Sequence, residues 1–205
     1  MKSFLRKILF FLGIIGVFPL LIPFILTTEQ KIIKADVERW QDCLGWEQRP
    51  IIIQLLALLK EAKEFRNLYY LRLFKGNFLG RFWMYLLKTI YRKCPYFFLD
   101  SSCNIGPGLF IQHGFSTIIM ADMGANCWVN QQVTIGYKDK TGRPQIGDNV
   151  RITAGAKVIG NICLGNNITV GANAVVIKNV PDNCVVVGVP AYIIKRDGVK
   201  VKEEL

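Results

Sequence analysis

The chain has 205 residues, a formal net charge of +11 and a single histidine, a length that suits one domain with an appendage. Its six cysteines never approach a Cys-x-x-Cys spacing, and with one histidine to join them no zinc site is expected. The basicity is uneven: residues 1–99 hold 16 Lys and Arg against 7 Asp and Glu, whereas residues 100–205 hold 10 against 8. An acidic partner, nucleic acid or an anionic membrane surface, therefore belongs to the N-terminal half.

Residues 1–28 come first. Lys2, Arg6 and Lys7 precede an uncharged apolar run, Ile8 to Thr27, long enough to cross a bilayer. A secretory signal and a buried globular helix are the alternatives. The run is long for a signal core, and no small-x-small cleavage site follows it. The expectation is a membrane-associating segment, giving the protein a place at the cytoplasmic face of a bacterial inner membrane. Basic residues on both flanks and the paired Pro19 and Pro23 suggest a shallow re-entrant hairpin, with a kinked span or an interfacial helix left open.

Residues 29–98 read as a helical, basic region. Ile32, Ile33, Val37 and Trp40 form a stripe at helical spacing, and Gly45 to Pro50 reads as a loop. From Phe65 to Leu99 there are seven basic residues, Arg66, Arg72, Lys75, Arg81, Lys88, Arg92 and Lys93, and no acid. Aromatic residues interleave with them. This composition suits a membrane surface, or equally a cap whose charges are solvated. No nucleic-acid motif accompanies it, so no nucleic-acid partner is expected.

From residue 99 to 197 the period changes. Apolar residues recur at every sixth position, at Ile105, Ile111, Met123, Val129 and Ile135, with only Thr117 breaking the run. A second run follows at Ile146, Ile152, Val158, Leu164, Val170 and Val176. Val150, Ala156, Ile162, Ile168 and Ala174 form a companion set two positions earlier. A period of six fits neither helix nor simple strand. It predicts a solenoid whose key side chains stack inward coil upon coil. Cys127 and Cys163 lie within the pattern as core fillers, and the cysteines are expected to be reduced. Gly136 to Gln145 interrupts the phase as a loop, and residues 198–205 read as a frayed, charged tail.

Residues 103–195 resemble the hexapeptide-repeat acyltransferases. The segment Ile105 to His113, Gly155 to Gly165 and Gly188-Val-Pro-Ala191 look like serine acetyltransferases, with a likeness to short capsule- and exopolysaccharide-associated forms. The resemblance implies an α+β chain: a C-terminal left-handed parallel β-helix (hexapeptide-repeat solenoid) after an N-terminal helical region. It also implies a homotrimer and acetyl-CoA as co-substrate, with no metal. Transfer from a thioester to a hydroxyl needs a base of near-neutral pKa, and His113 stands where the family has its catalytic histidine. The family's orienting aspartate, fifteen residues upstream, is Phe98 here, and Asp100 is the nearest substitute. Gln112 replaces an aspartate, and Arg143 stands where a second histidine belongs; both are candidate acceptor-binding residues. Gly155, Ala156 and Gly171 would meet pantetheine, and Lys195 and Arg196 the nucleotide phosphates. The expected function is O-acetyl transfer to a hydroxyl on an envelope or capsular polysaccharide precursor. The alternatives are serine O-acetylation in cysteine synthesis and a non-catalytic β-helix scaffold.

Overall fold

The computed structural model describes residues 13–205. They divide into two compact units, the first ending at Cys94 and the second running Pro95–Leu205.

The first unit is helical. After helical residues 13–17 and a 3-10 turn at Phe18–Leu20 come α1 (Leu21–Leu26), α2 (Gln30–Leu44), α3 (Ile51–Glu61), α4 (Lys63–Lys75) and α5 (Phe78–Leu87). Gly45 ends α2 at φ +63°, a left-handed cap that costs glycine nothing. Asn77 starts α5 by accepting a hydrogen bond from Gly80 N at 3.0 Å. The predicted stripe buries Ile33, Val37 and Trp40, with Trp40 edge-on to Phe65 at 5.2 Å.

Two of the seven basic residues hold this unit together. Arg72 grips Asp36 through two hydrogen bonds of 2.8 and 3.1 Å, with both side chains buried. Arg66 donates to the carbonyls of Leu59 and Lys60 at the end of α3, and to Arg92 O. The last turn of a helix presents its carbonyls at the negative end of the dipole, so a cation there meets both a geometric and a dipolar need.

The apolar run of residues 8–27 corrects the sequence reading. Residues 8–12 lie outside the described residues. From Gly13 onward the run is not one helix: the turn at Phe18–Leu20, with proline at its start, separates two short pieces. Leu20, Leu21 and Phe24 are buried within the unit. Tyr69 Oη donates to Leu20 O at 2.7 Å, and Asn77 Nδ2 to Leu26 O at 2.8 Å. Among the described residues no helix is long and apolar enough to cross a membrane. The expected membrane-spanning segment, and the placement at an inner-membrane face that rested on it, are thereby overturned. Hydropathy scores a side chain buried in protein as it scores one buried in lipid.

The second unit is a parallel β-helix. Strands β1 (Phe97–Leu99), β3 (Thr117–Ile119), β6 (Thr134–Gly136), β9 (Lys157–Ile159) and β12 (Val175–Val176) form a five-stranded sheet. A three-stranded sheet holds β4 (Asp122–Met123), β7 (Gln145–Ile146) and β10 (Cys163–Leu164). The seven-stranded sheet runs β2 (Phe110–Ile111), β5 (Trp128–Val129), β8 (Arg151–Ile152), β11 (Thr169–Val170), β13 (Cys184–Val187), β14 (Tyr192–Arg196) and β15 (Val199–Glu204). The chain visits these sheets in that order on every coil. Three edges result: a first from five-stranded to three-stranded sheet, a second onward to the seven-stranded sheet, and a third back again.

All eleven six-spaced apolar residues are buried, as are their companions and Thr117. Thr117 reaches the interior because its hydroxyl donates to Phe115 O and Asn130 O, each at 3.3 Å. All six cysteines are free thiols; Cys127 is buried, but Cys163 faces outward, contrary to expectation. The tail also differs from a frayed end, since β15 pairs antiparallel with β14. At the second edge Asn126, Asn149, Asn167 and Asn183 each take φ near +57°, a region asparagine tolerates better than most residues. Their amides form a column: Asn149 donates to Asn167 (3.2 Å), Asn167 to Asn183 (2.9 Å), and Asn183 to Asp197 (2.9 Å).

Candidate active site

His113 stands at the third edge, just after β2. Ile111 pairs with Val129, eighteen residues on, but Ile118 pairs with Thr134, only sixteen on. The corner between Ile111 and Ile118 is therefore two residues longer than the one beneath it. Within it His113 and Ser116 take φ of +56° and +52°. The imidazole is exposed and makes no hydrogen bond to any described residue.

Beside it, Gln112 is held firmly. Its Oε1 accepts from Trp128 Nε1 at 3.2 Å and from Asn130 Nδ2 at 3.0 Å. Trp128 packs edge-on to Phe110 at 4.8 Å, and the Arg151 guanidinium lies over the indole at 4.7 Å. Trp128, Asn130 and Arg151 were not singled out from the sequence. Asn130 lies eighteen residues after Gln112, one coil down, so the repeat itself carried the signal.

Gly155, Ala156 and Gly171 stand lower on the same third edge. Gly155 has φ +75°, and a Cβ there would fall 2.0 Å from Asn173 Oδ1; a Cβ on Gly171 would come within 2.7 Å of Val187. Backbone geometry thus accounts for both glycines. The N–H groups of all three residues donate within the β-helix, to Gln131 O, Thr153 O and Val186 O. Beyond the last coil is a cleft of ≈ 460 Å³ lined by Ile177, Lys178, Pro190, Ala191, Tyr192 and Lys202, among others. Its two lysines were missed in the sequence. Of the expected phosphate partners, Arg196 is engaged by Glu203 at 2.6 Å; Lys195 is exposed, directly opposite Lys200.

Asp100 and Arg143 come together at the first edge, away from His113 in sheet order. Asp100 Oδ1 accepts from Ser102 N at 2.9 Å. Arg143 donates to Ser102 Oγ at 2.7 Å and to Asp122 Oδ1 at 2.7 Å, pinning the loop before β7 to the coil above. Partial burial opposes ionisation of Asp122, but hydrogen bonds from Asn104 N, Gln145 and Arg143 outweigh it and hold the carboxyl below its ordinary range. No hydrogen bond joins Asp100 to His113. Phe98 pairs with Ile118 and is 52% exposed. Among the described residues, no group of three or more His, Cys, Asp or Glu could hold a metal ion.

No family model matches the chain. It is 47% identical over 108 residues to a serine acetyltransferase of Staphylococcus aureus (strain Mu50 / ATCC 700699), covering 50% of this chain and 51% of that one. Its structure matches serine acetyltransferase from Brucella abortus strain S19 in complex with coenzyme A, with TM-score 0.65, 27% identity and coverage of 83% of this chain and 69% of that one. Over its repeat half the chain is similar to the serine acetyltransferases. The Neisseria gonorrhoeae serine acetyltransferase in complex with serine matches similarly, with TM-score 0.62, 26% identity and coverage of 82% and 69%. The fold is thus the hexapeptide-repeat, left-handed β-helix of these proteins, preceded by helices. The chain spans about half the length of the curated relatives it matches.

Proposed function

We propose that the protein is an acetyl-CoA-dependent O-acetyltransferase with His113 as its general base. The observation that carries this reading is the 47% identity to a serine acetyltransferase, together with the exposed lone histidine in the family's catalytic position. In the proposed reaction, His113 takes the acceptor's hydroxyl proton as the oxygen attacks the thioester carbonyl. The tetrahedral oxyanion collapses, the C–S bond breaks, and the imidazolium returns the proton to the departing thiolate. CoA would lie along the third edge below His113, past Gly155, Ala156 and Gly171, with its phosphates near Lys178, Lys195 and Lys202.

L-Serine is the acceptor that the relatives support. A sugar hydroxyl on an envelope or capsular precursor is the second reading, favoured by Gln112 and Arg143, which replace an aspartate and a histidine of the serine enzymes. Its argument from a membrane-spanning segment is gone. A homotrimer belongs to the proposal, because His113 and the Asp100–Arg143 group lie on different edges. In a trimer one chain's third edge and the next chain's first edge would line one groove. A thiol-release assay with acetyl-CoA, comparing L-serine with nucleotide- and lipid-linked sugars, tests the whole reading. Turnover with L-serine is expected; no thiol release with any acceptor would overturn acetyl transfer.

A further inference from the structure

Helix α5 is apolar on both of its faces. Gly80, Met84 and Leu87 are its buried residues, and a Cβ on Gly80 would come within 3.0 Å of Thr27, just past α1. Phe78, Phe82, Tyr85, Leu86 and, beyond the helix end, Ile90 are 46–75% exposed, with Phe78 stacked on Phe82 at 6.3 Å. A helix apolar all round calls for cover on its outer side. Its neighbour repeats the pattern. The segment 16–26 runs antiparallel to α5: Asn77 Nδ2 donates to Leu26 O at 2.8 Å, and Tyr91 Oη to Gly16 O at 2.7 Å. There Leu20, Leu21 and Phe24 are buried, while Ile15, Phe18, Ile22 and Ile25, spaced three or four apart, are exposed.

Cations border these stripes. Lys75, Arg81, Arg92 and Lys93 are exposed, and Lys88 Nζ lies over the Tyr85 ring at 3.9 Å. No Asp or Glu occurs in residues 1–28 or 65–99. The complementary cover is therefore anionic where it meets the cations and apolar where it meets the stripes. A second copy of the same face would set cation against cation with no acid between them. Single-stranded RNA would stack its bases on aromatic faces and leave the aliphatic Ile15, Ile22, Ile25, Leu86 and Ile90 without a partner. A bilayer of anionic phospholipid supplies both chemistries in one surface.

We infer that the helical unit binds an anionic phospholipid surface peripherally, through the outward stripes of α5 and of residues 15–25. The apolar side chains enter the boundary between headgroups and acyl chains, and the bordering Lys and Arg meet the lipid phosphates. Nothing crosses the bilayer; both helices lie in the plane of its surface, their cationic side chains reaching the headgroup level. The inference concerns the helical unit alone and is independent of acetyl transfer at His113.

The test is co-sedimentation of the full chain with vesicles of phosphatidylcholine, alone or mixed equally with phosphatidylglycerol. Mixed vesicles should bind at least about tenfold more tightly than neutral ones at low ionic strength, and salt of about 1 M should erase most of that difference. Phe82→Ser with Leu86→Ser, both at exposed positions, should weaken binding to mixed vesicles at least about tenfold with melting temperature unchanged. Arg92→Glu with Lys93→Glu should weaken binding to mixed vesicles and leave neutral ones unaffected. Equal affinity for the two vesicles, no sedimentation with either, or binding untouched by the serine pair would each overturn the inference. So would a lower lipid-free assembly mass for the serine pair, which assigns the face to a second copy, or tighter binding to poly(U) than to mixed vesicles, which assigns it to RNA.

Discussion

A φ of +56° at His113 makes the choice of substitution matter. Alanine in the left-handed region costs roughly 1–2 kcal/mol, whereas asparagine visits it readily. His113→Asn should therefore leave the melting temperature unchanged and lower thiol release by about two to four orders of magnitude, the usual contribution of a general base. Substantial residual turnover would remove His113 from the mechanism. Asp100→Asn should have a much smaller effect, since its carboxylate already serves the turn at Ser102. A second residue-scale consequence concerns Cys127. Burial pushes its thiol up to about 11, while an unfolded cysteine ionises near ~8.5. The unfolded state loses its proton first as pH rises, so the stabilisation is full below about pH 8.5 and falls toward pH 11. Urea unfolding should show the advantage of wild type over Cys127→Ala shrinking by on the order of 3 kcal/mol across that window. His113 was legible because its type, solitude and place after Ile111 coincide. The Gln112 clamp was not, because its partners lie one coil away and hydrogen-bond direction leaves no trace in residue type.

Among the elements, α2 and α4 depend on a pair with no local sequence signal, Asp36 and Arg72, buried together across 36 positions. Removing one charge strands the other: Asp36→Ala should cost about 3–5 kcal/mol by denaturant unfolding, and the double change Asp36→Leu with Arg72→Met should recover much of it. If Asp36→Ala proved neutral, the pair would not be holding the two helices. In the β-helix the second-edge column invites a graded test. Asn167→Gly keeps access to the left-handed region but removes two amide hydrogen bonds, whereas Asn167→Ala loses both features. Alanine should therefore be the more destabilising, by about 1 kcal/mol. Sixfold burial made these coils readable in advance. In the first unit the stripe of α2 was readable, but the split of residues 18–26 into buried Leu20, Leu21 and Phe24 and exposed Phe18, Ile22 and Ile25 was not, because the groups that bond their carbonyls, Tyr69 and Asn77, lie far along the chain.

For the whole molecule, the stacked interior leaves little room for compromise. Leu164 is 2% exposed, and an aspartate there would bury an unpaired carboxylate at a cost of several kcal/mol, comparable with the stability of a domain. A folded Leu164→Asp protein with unchanged melting temperature would contradict the coil-upon-coil core. The outer face of the five-stranded sheet shows the opposite character at its upper end, where the paired Phe98 and Ile118 are 52% and 40% exposed. Such an exposed apolar pair is what a proposed trimer would cover. Sedimentation should give three times the 23.3 kDa chain mass, and Ile118→Arg should reduce it. A monomeric wild type would remove the inter-chain groove from the proposal.

The corner that carries His113 is longer than its neighbours by two residues, yet the pairing of Ile118 with Thr134 resumes in register beyond it. Length at a solenoid corner is thus uncoupled from the frame, and the reactive group can be altered by insertion or deletion without renegotiating the core. Deleting Phe115 and Ser116 would match this corner to those below. That variant should keep the β-helix circular dichroism and melting profile while abolishing thiol release. Chemistry in this architecture resides in a local excess of chain, which gives it an evolutionary freedom that a catalytic residue on an inward-facing strand position would not have.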